Sequence, residues 1–238
     1  MKGIILAGGS GTRLSPLTKV TSKQLLPVYN KPLVFFPLDT LLRAGIKEIL
    51  FIVAPAHAGS FMNLLGSGKN FGAKFTYEIQ DKPEGLAQAF IIGEDFIDND
   101  SVALILGDNI FEDDFSPVIK QFKSGAHVFA KKVPDPERFG VVKFDEHGQA
   151  LKIKEKPKQF LSDHAITGLY VYDNRAIKVA KKLKPSPRRG ELEITDLHNW
   201  YLKKGELKVD MVKGEWIDAG TFDSLLKAAN WAKKHSQE

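Results

Sequence analysis

Ile4-Ile5-Leu6-Ala7-Gly8-Gly9-Ser10-Gly11-Thr12-Arg13-Leu14, followed shortly by Lys23-Gln24-Leu25-Leu26-Pro27, is the stretch on which the reading of this chain turns. Lys2 to Ala7 is a short apolar run of the kind a fully buried strand shows, and it stops at Gly8, Gly9 and Gly11. Without a Cβ these glycines allow a sharp turn and let backbone N–H groups close on an anion as a concave nest. Arg13 and Lys23 add fixed positive charge beside it. No Gly-Lys-Ser/Thr follows, which excludes a P-loop, and Gly9-Ser10-Gly11-Thr12-Arg13-Leu14 lacks the third glycine of the dinucleotide fingerprint. The bland alternative is a glycine turn between strand and loop. The first strand, the glycines and the two cations together favour a site for a nucleotide's phosphates.

Around that stretch, 238 residues with 43% hydrophobic content suit one compact α/β unit spanning 1–238. The absence of cysteine removes disulfides, thiolate metal sites and thiol nucleophiles. Met1-Lys2 leads directly into a strand too short for a signal-peptide core, and no apolar run reaches membrane-spanning length. A cytoplasmic enzyme without membrane partners is expected. The net charge of +5 is carried by scattered lysine pairs, Lys131-Lys132, Lys181-Lys182, Lys203-Lys204 and Lys233-Lys234, which read as solvated element ends. No basic stripe is interleaved with aromatics, so small phosphorylated substrates account for the surplus better than nucleic acid does.

Along the chain, a helix is expected from Pro32 through Leu42, ended by Gly45 and kinked at Pro37. Lys47 to Ala54 reads as a second buried strand, Gly59 to Leu65 as a short helix and Phe75 to Gln80 as a strand. Gly85 to Phe96 reads as a helix, and Val102 to Leu106 as a strand ending in Gly107-Asp108-Asn109. Such alternation predicts a mostly parallel sheet with helices on both faces and ligands at the strands' carboxyl ends, where Gly8 to Arg13, Gln80 and Asp108 all fall. After Pro134 shorter strands follow at Gly140 to Phe144, Leu151 to Glu155 and Ile166 to Tyr172, read as a small β subregion on the same sheet. Asp173 to Leu183, Ile194 to Lys204 and Thr221 to Lys234 read as helices, and Leu207 to Val212 as extended.

Asp108, directly after a buried strand, projects its carboxylate from the sheet edge toward the glycine loop, where a Mg²⁺ bridging nucleotide phosphates would sit. An Asx-turn is the plainer role for it. Asp218, in Trp216-Ile217-Asp218-Ala219-Gly220-Thr221, is a candidate second carboxylate, although N-capping of the last helix is the ordinary job of an Asp there. Glu155-Lys156 alone would be a solvated surface pair, and Gln80 alone a strand-ending glutamine. The six histidines show no ligand spacing and read as surface or core, and Trp200 and Trp231 read as core. Ser10, Ser15 and Ser22 lack a nucleophile-elbow pattern.

Leu6-Ala-Gly-Gly-Ser-Gly-Thr-Arg-Leu-Ser-Pro-Leu-Thr18 followed by Ser22-Lys-Gln-Leu-Leu-Pro-Val28 resembles the signature of the sugar-1-phosphate nucleotidylyltransferases, and among them the glucose-1-phosphate thymidylyltransferase family. The resemblance spans nearly the whole chain. It implies a Rossmann-like nucleotidyltransferase fold and transfer of a nucleotidyl group from a nucleoside triphosphate, favoured dTTP, to a sugar 1-phosphate, favoured glucose 1-phosphate. Residues 1–133 would mainly bind nucleotide and 134–238 mainly sugar. By the same resemblance Asp108 and Asp218 hold Mg²⁺, and Arg13, Lys23 and Asp108 carry the chemistry. Leu6, Gly8, Gly9, Ser10, Gly11, Thr12, Arg13, Gln24, Gln80, Pro83, Gly85 and Asp108 are implied to contact the nucleotide. Asn109, Gly140, Glu155, Lys156 and Arg189 are implied for the sugar phosphate, with Arg188 a neighbouring alternative to Arg189; Phe139-Gly140 and Thr167-Gly168 resemble sugar-pocket segments. A homo-oligomer is expected. Longer members carry further C-terminal helices, associated with an effector site and subunit contacts, beyond the stretch ending Lys234-His235-Ser236, so feedback control and the usual tetramer are not expected from these residues. Two alternatives stand beside this reading: a UTP-using enzyme, and a regulatory module that binds nucleotide-sugar without chemistry. Retention of Arg13, Lys23, Asp108 and Asp218 speaks against the second.

Overall fold

The computed structural model describes residues 1–236. β1 (Lys2–Ala7) leads through the glycine loop to a small hairpin of β2 (Pro27–Val28) and β3 (Lys31–Pro32), then α1 (Phe35–Arg43), β4 (Glu48–Val53), α2 (Ala58–Leu65) and β5 (Lys74–Ile79). α3 (Gln88–Ile92), α4 (Glu94–Ile97), β6 (Val102–Leu106), β7 (Asn109–Phe111) and α5 (Ser116–Gln121) follow. The second half runs β8 (Ala126–Lys132), β9 (Gly140–Phe144), β10 (Ala150–Glu155), β11 (His164–Tyr172), α6 (Arg175–Ala180), α7 (Ile194–Lys203), β12 (Leu207–Met211), β13 (Trp216–Asp218) and α8 (Phe222–His235).

The central sheet has 9 strands in the order β10-β9-β11-β6-β1-β4-β5, with β8 branching from β11 and β12 pairing with β8. Its block β6-β1-β4-β5 is parallel as expected, whereas β9, β10 and β11 join antiparallel, so the sheet is mixed. Both faces of the parallel block are covered. Ile4, Leu6, Leu50 and Ile52 pack into one core layer, and Ile5, Ala7, Ile49, Phe51 and Val53 into the other. That double burial explains why these strands read as continuous apolar runs.

β11 organises the opening. Along one edge it pairs with β8, and along the other it pairs with β6 through Leu169–Tyr172 and with β9 only at Ala165. On that second edge Thr167 and Gly168 sit where β6 has ended and β9 has not yet closed it, and the register against β8 also shifts between Ile166 and Tyr170. A gap in the sheet results, at the carboxyl ends of the parallel strands, where ligands bind in folds of this kind.

Several elements differ from expectation. The first helix begins at Phe35, because Pro32 belongs to the hairpin, and Pro37 lies in the helix's first turn, where a missing N–H breaks no intrahelical bond. The helix expected over Gly85 to Phe96 divides at Gly93, where a Cβ would press on the Ala89 carbonyl at 3.0 Å and the Leu50 and Ile4 methyls at 3.0 and 3.1 Å. β8 and α5 were not anticipated. Nor was the β7–β13 ribbon, a pairing of two three-residue strands that no local periodicity announces.

Candidate functional site

The gap opens into a cavity of about 300 Å³ bordered by both halves of the chain. At the end of β1, Gly8 is buried against Gln80, whose carboxamide occupies the space a Cβ would need. Gly11 adopts φ 62°, and its carbonyl accepts from the Thr18 hydroxyl at 2.9 Å, which fixes the turn. Gln80 is oriented by Gln88, to whose side-chain oxygen it donates at 2.7 Å. Across from it, Gly85 (φ 111°) lies directly on the Leu192 backbone, and the Leu192 amide donates to Glu84 at 2.7 Å. These contacts tie the segment that follows Gln80 to the second half of the chain.

The centre is a pair of carboxylates. β13 pairs antiparallel with β7 in a register that sets Asp218 opposite Asn109, and the Ala219 amide donates to the Asp108 carbonyl at 2.9 Å. Asp218 therefore sits at a strand end beside Asp108 and caps nothing. The cap of α8 is Thr221, in a reciprocal capping box with Ser224. Lys23 donates to the Asp108 carboxylate, and Asn109 Nδ2 donates to its other oxygen at 3.1 Å. Burial opposes the charge of Asp108, but the Lys23 ammonium and these hydrogen bonds hold its carboxyl below the usual aspartate range. Asp218 shifts the other way, pushed up to about 6 by burial and then by the Asp108 charge. Two carboxylates thus lie close together with the one ammonium that donates here bound to Asp108, which makes Asp218 the harder of the two to ionise. Arg13 lies against Gly220, where a Cβ would meet its guanidinium at 2.8 Å and the Asp218 carboxylate at 3.1 Å.

Asn109 is fully committed. Its side-chain oxygen accepts from Trp216 Nε1 at 2.7 Å and from the Gly168 amide at 3.1 Å, so it braces the pocket wall as well as lining it. At the far end, Arg189 bridges Glu155 at 3.0 Å and Glu191 at 2.6 Å. Arg189 lines the cavity, while Arg188 reaches back to the Lys156 carbonyl at 3.4 Å, which separates the two arginines the sequence left side by side. Lys156 holds φ 37°, a left-handed conformation unfavourable for a lysine, with its amide donating to the Phe139 carbonyl at 2.9 Å. Burial pushes the Glu155 carboxyl up; burial and the Arg189 charge push the Lys156 ammonium down. Gly140 pairs with Glu155, and a Cβ there would meet the Thr195 methyl at 2.8 Å.

Leu6, Gly9, Arg13, Lys23, Gln24, Gln80, Pro83 and Gly85 all border the cavity with the carboxylates and the Glu155–Lys156–Arg189 group. Gly8, Ser10, Gly11 and Thr12 do not: Gly8 lies beneath the loop, and Ser10 and Thr12 are exposed at its rim. The structure adds Arg138, Tyr170, Glu193, His198 and Trp216 to the lining. Arg138 had one signal, its place directly before Phe139-Gly140. His198 had none; it is wholly buried between Tyr170 and Tyr172, and burial alone lowers its pKa to about 3, so its imidazole is neutral. Trp200 and Trp231 pack against the core clusters as expected. Among the described residues no group of three or more metal-ligating side chains occurs. A cation here would take the two aspartates and complete its shell with substrate oxygens and water, the pattern Mg²⁺ prefers and calcium cages do not.

A nucleotide-end loop, a carboxylate pair and a second cationic cluster in one cleft describe an enzyme that joins two phosphorylated substrates. The chain belongs to the nucleotidyl transferase family, whose model matches residues 2–235. It is 56% identical over 239 residues to the glucose-1-phosphate thymidylyltransferase of Neisseria meningitidis serogroup A, an alignment covering 98% of this chain and 83% of that one. The enzyme of the same name from Mycolicibacterium smegmatis is 53% identical, with 98% and 82% covered. Among solved structures, a candidate glucose-1-phosphate thymidylyltransferase from Bacillus anthracis in complex with sucrose superposes with a TM-score of 0.94 at 48% identity, covering 100% of this chain and 97% of that one. A UDP-glucose pyrophosphorylase complexed with UDP-glucose superposes at 0.85 with 25% identity, covering 99% of both chains.

Proposed function

We propose that this chain transfers a thymidylyl group from dTTP to glucose 1-phosphate, giving dTDP-glucose and pyrophosphate. One observation carries the reading: a single cavity holds Gly9 of the glycine loop with Arg13 and Lys23 at one end and Lys156 with Arg189 at the other, and the two aspartates are among its lining. Each substrate brings a phosphate, and each end offers cations to receive it.

An oxygen of the sugar phosphate attacks the α-phosphorus of the triphosphate, and the bond from that phosphorus to the β-phosphate's bridging oxygen breaks. Pyrophosphate leaves with the electron pair. The attacking phosphate is already ionised at neutral pH, so no general base is required, and catalysis consists of alignment and charge stabilisation. Arg13 and Lys23 stabilise charge growing on the departing pyrophosphate. Lys156 and Arg189 hold the sugar phosphate and offset its repulsion from the triphosphate. Glu155 accepts from sugar hydroxyls, and Gln80 pairs with the pyrimidine edge. Asp108 and Asp218 would hold Mg²⁺, which when bound withdraws charge from the α-phosphate. Residues 1–133 thus supply most of the nucleotide side and 134–238 most of the sugar side, with Asp218 and Gly220 returning to the nucleotide end.

No helix among the described residues is long and apolar enough to cross a membrane. Exposed Tyr29, Phe222 and Leu226 offer apolar surface that a second copy of the chain would cover. The function is tested by pyrophosphate release over a panel of triphosphates and sugar 1-phosphates with Mg²⁺. Release is expected only when both substrates are present, and fastest with dTTP and glucose 1-phosphate. Equal release from triphosphate alone would mark a pyrophosphohydrolase, and a UTP preference would move the chain to the uridylyl-transferring class.

A further inference from the structure

Lys131, half of a pair the sequence presents as solvated, is turned inward by the fold. β8 places it beside the segment that continues from β12, and its ammonium donates to three consecutive carbonyls: Val212 at 3.3 Å, Lys213 at 3.0 Å and Gly214 at 2.7 Å. That uses all three of its donors. The amides of the same segment are held from the other side. Asp113 accepts from Lys213 at 2.9 Å and from Gly214 at 2.6 Å, and Glu112 accepts with its carboxylate from Glu215 at 2.8 Å. The Val212 amide donates to Ala130 at 2.8 Å, and the Glu112 amide to the Glu215 carbonyl at 3.0 Å. Every main-chain N–H and C=O from 212 to 215 therefore has a partner. Gly214 admits the arrangement, since a Cβ would meet the Asp113 and Glu112 carboxylates at 2.7 and 2.9 Å.

So complete a clamp on four residues, of which Val212 is buried and Lys213 and Glu215 are exposed, asks for a reason, and the reason lies next in the chain. β13 has three residues and one partner, the equally short β7. A ribbon of that size does not hold its own register firmly. Yet its last residue, Asp218, stands opposite Asn109 and must keep a set distance from Asp108, at the same end of the ribbon. Metal ligation tolerates errors of only a fraction of an ångström. Glu112 and Asp113 follow β7 directly, and 212–215 precede β13 directly, so the clamp joins the two strands at the end remote from the carboxylates.

We propose that Lys131, Asp113 and Glu112 are positioning residues for Asp218: they lock the β7–β13 register and thereby set the span between the two carboxylates. This rests on the reading of Asp108 and Asp218 as the cation site. Gly214 and Asp218 are about 13 Å apart along an extended chain, so the clamp acts through the strand and touches no substrate.

The test measures Mn²⁺ binding to the enzyme–dTTP complex by the loss of free-ion EPR signal, alongside dTTP binding in EDTA and the melting temperature. Lys131→Met is expected to weaken Mn²⁺ about tenfold or more, as removal of a group that orients a ligand does, with dTTP binding in EDTA unchanged. Asp113→Asn is expected to act in the same direction, and Asp218→Asn to weaken Mn²⁺ at least as much. A lowered melting temperature with wild-type Mn²⁺ affinity in Lys131→Met would make the clamp purely structural and overturn the proposal. If Lys131→Met does not fold, Asp113→Asn decides on the same criterion, and failure of both to fold would also overturn it. Absence of Mn²⁺ binding by the wild type with dTTP, or an unchanged affinity in Asp218→Asn, would instead sink the reading of the carboxylates, and the proposal with it.

Discussion

The two ends of the cavity hold their cations differently. At the nucleotide end, Lys23 shares one carboxylate, and Arg13 forms no ion pair with an acid among the described residues. At the sugar end, Arg189 carries two carboxylates, and Lys156 is pinned in a left-handed backbone conformation beside Glu155. On the proposed function, the first end keeps the Arg13 charge available for a triphosphate that becomes more anionic at its leaving group as the reaction proceeds. The second has one cation, Arg189, oriented beforehand between two carboxylates, with the Lys156 backbone fixed beside it, which on the proposed function favours fixed recognition over charge stabilisation. The expected consequence is a division of labour between turnover and binding.

The sharpest break of that comparison lies between the two ends, at the carboxylates. Asp108→Asn and Asp218→Asn are each expected to lower kcat on the order of 10³-fold, because each removes an anionic ligand that acts with substrate bound. Near-normal turnover in Asp218→Asn would leave Asp108 as the one protein carboxylate on the cation. Next in size, Lys23→Ala is expected to lower kcat about 10²-fold with little change in the KM for glucose 1-phosphate, since its charge matters most as pyrophosphate leaves. Lys156→Ala is expected to raise that KM about tenfold with kcat nearly preserved, as loss of a charge-assisted contact does. Steady-state kinetics decide, and exchanged phenotypes would reverse the division.

The remaining predictions concern stability and are smaller. Asp218 is harder to ionise in the fold than in the unfolded chain, with its pKa pushed up to about 6 by burial and by Asp108. From about pH 4, the ordinary aspartate range, to about pH 6 the native state holds the extra proton. Stability without metal therefore falls as pH rises through that window and stays low above it. Asp218→Asn should remove this dependence and melt higher than wild type at pH 7, equally below pH 4, by calorimetry in EDTA. Thr221→Ala should cost about 1 kcal/mol by loss of the cap, with the metal requirement of turnover unchanged. A shift in that requirement would mean that the start of α8 and the carboxylate are not independent.

Much of this was legible because local rules act on neighbouring residues. The buried strands Lys2–Ala7 and Val102–Leu106 stand where the apolar runs placed them, and Gly8, Gly11 and Gly85 have the close contacts or positive φ that glycine allows. The segments around Asp108, Glu155 and Arg189 meet in one cavity although 81 residues separate the first from the last. What was missed depends on partners remote in sequence. β7 and β13 are too short to carry a period and exist through each other, while His198 reaches the cavity floor only through the packing of α7.

The order of residues by itself determined the parallel α/β half, the glycine loop and the kinds of side chain available for phosphate and cation, because periodicity, turn chemistry and charge are read over a few positions. Tertiary structure alone decided that Asp218 stands beside Asp108 while Thr221 caps the helix, that Arg189 and not Arg188 faces the cavity, and that Lys131 is drawn into the fold. Apart from the Thr221 cap, which is local to Ser224, each of those outcomes is a pairing between segments tens of residues apart, and its energy exists only once the sheet has brought them into contact.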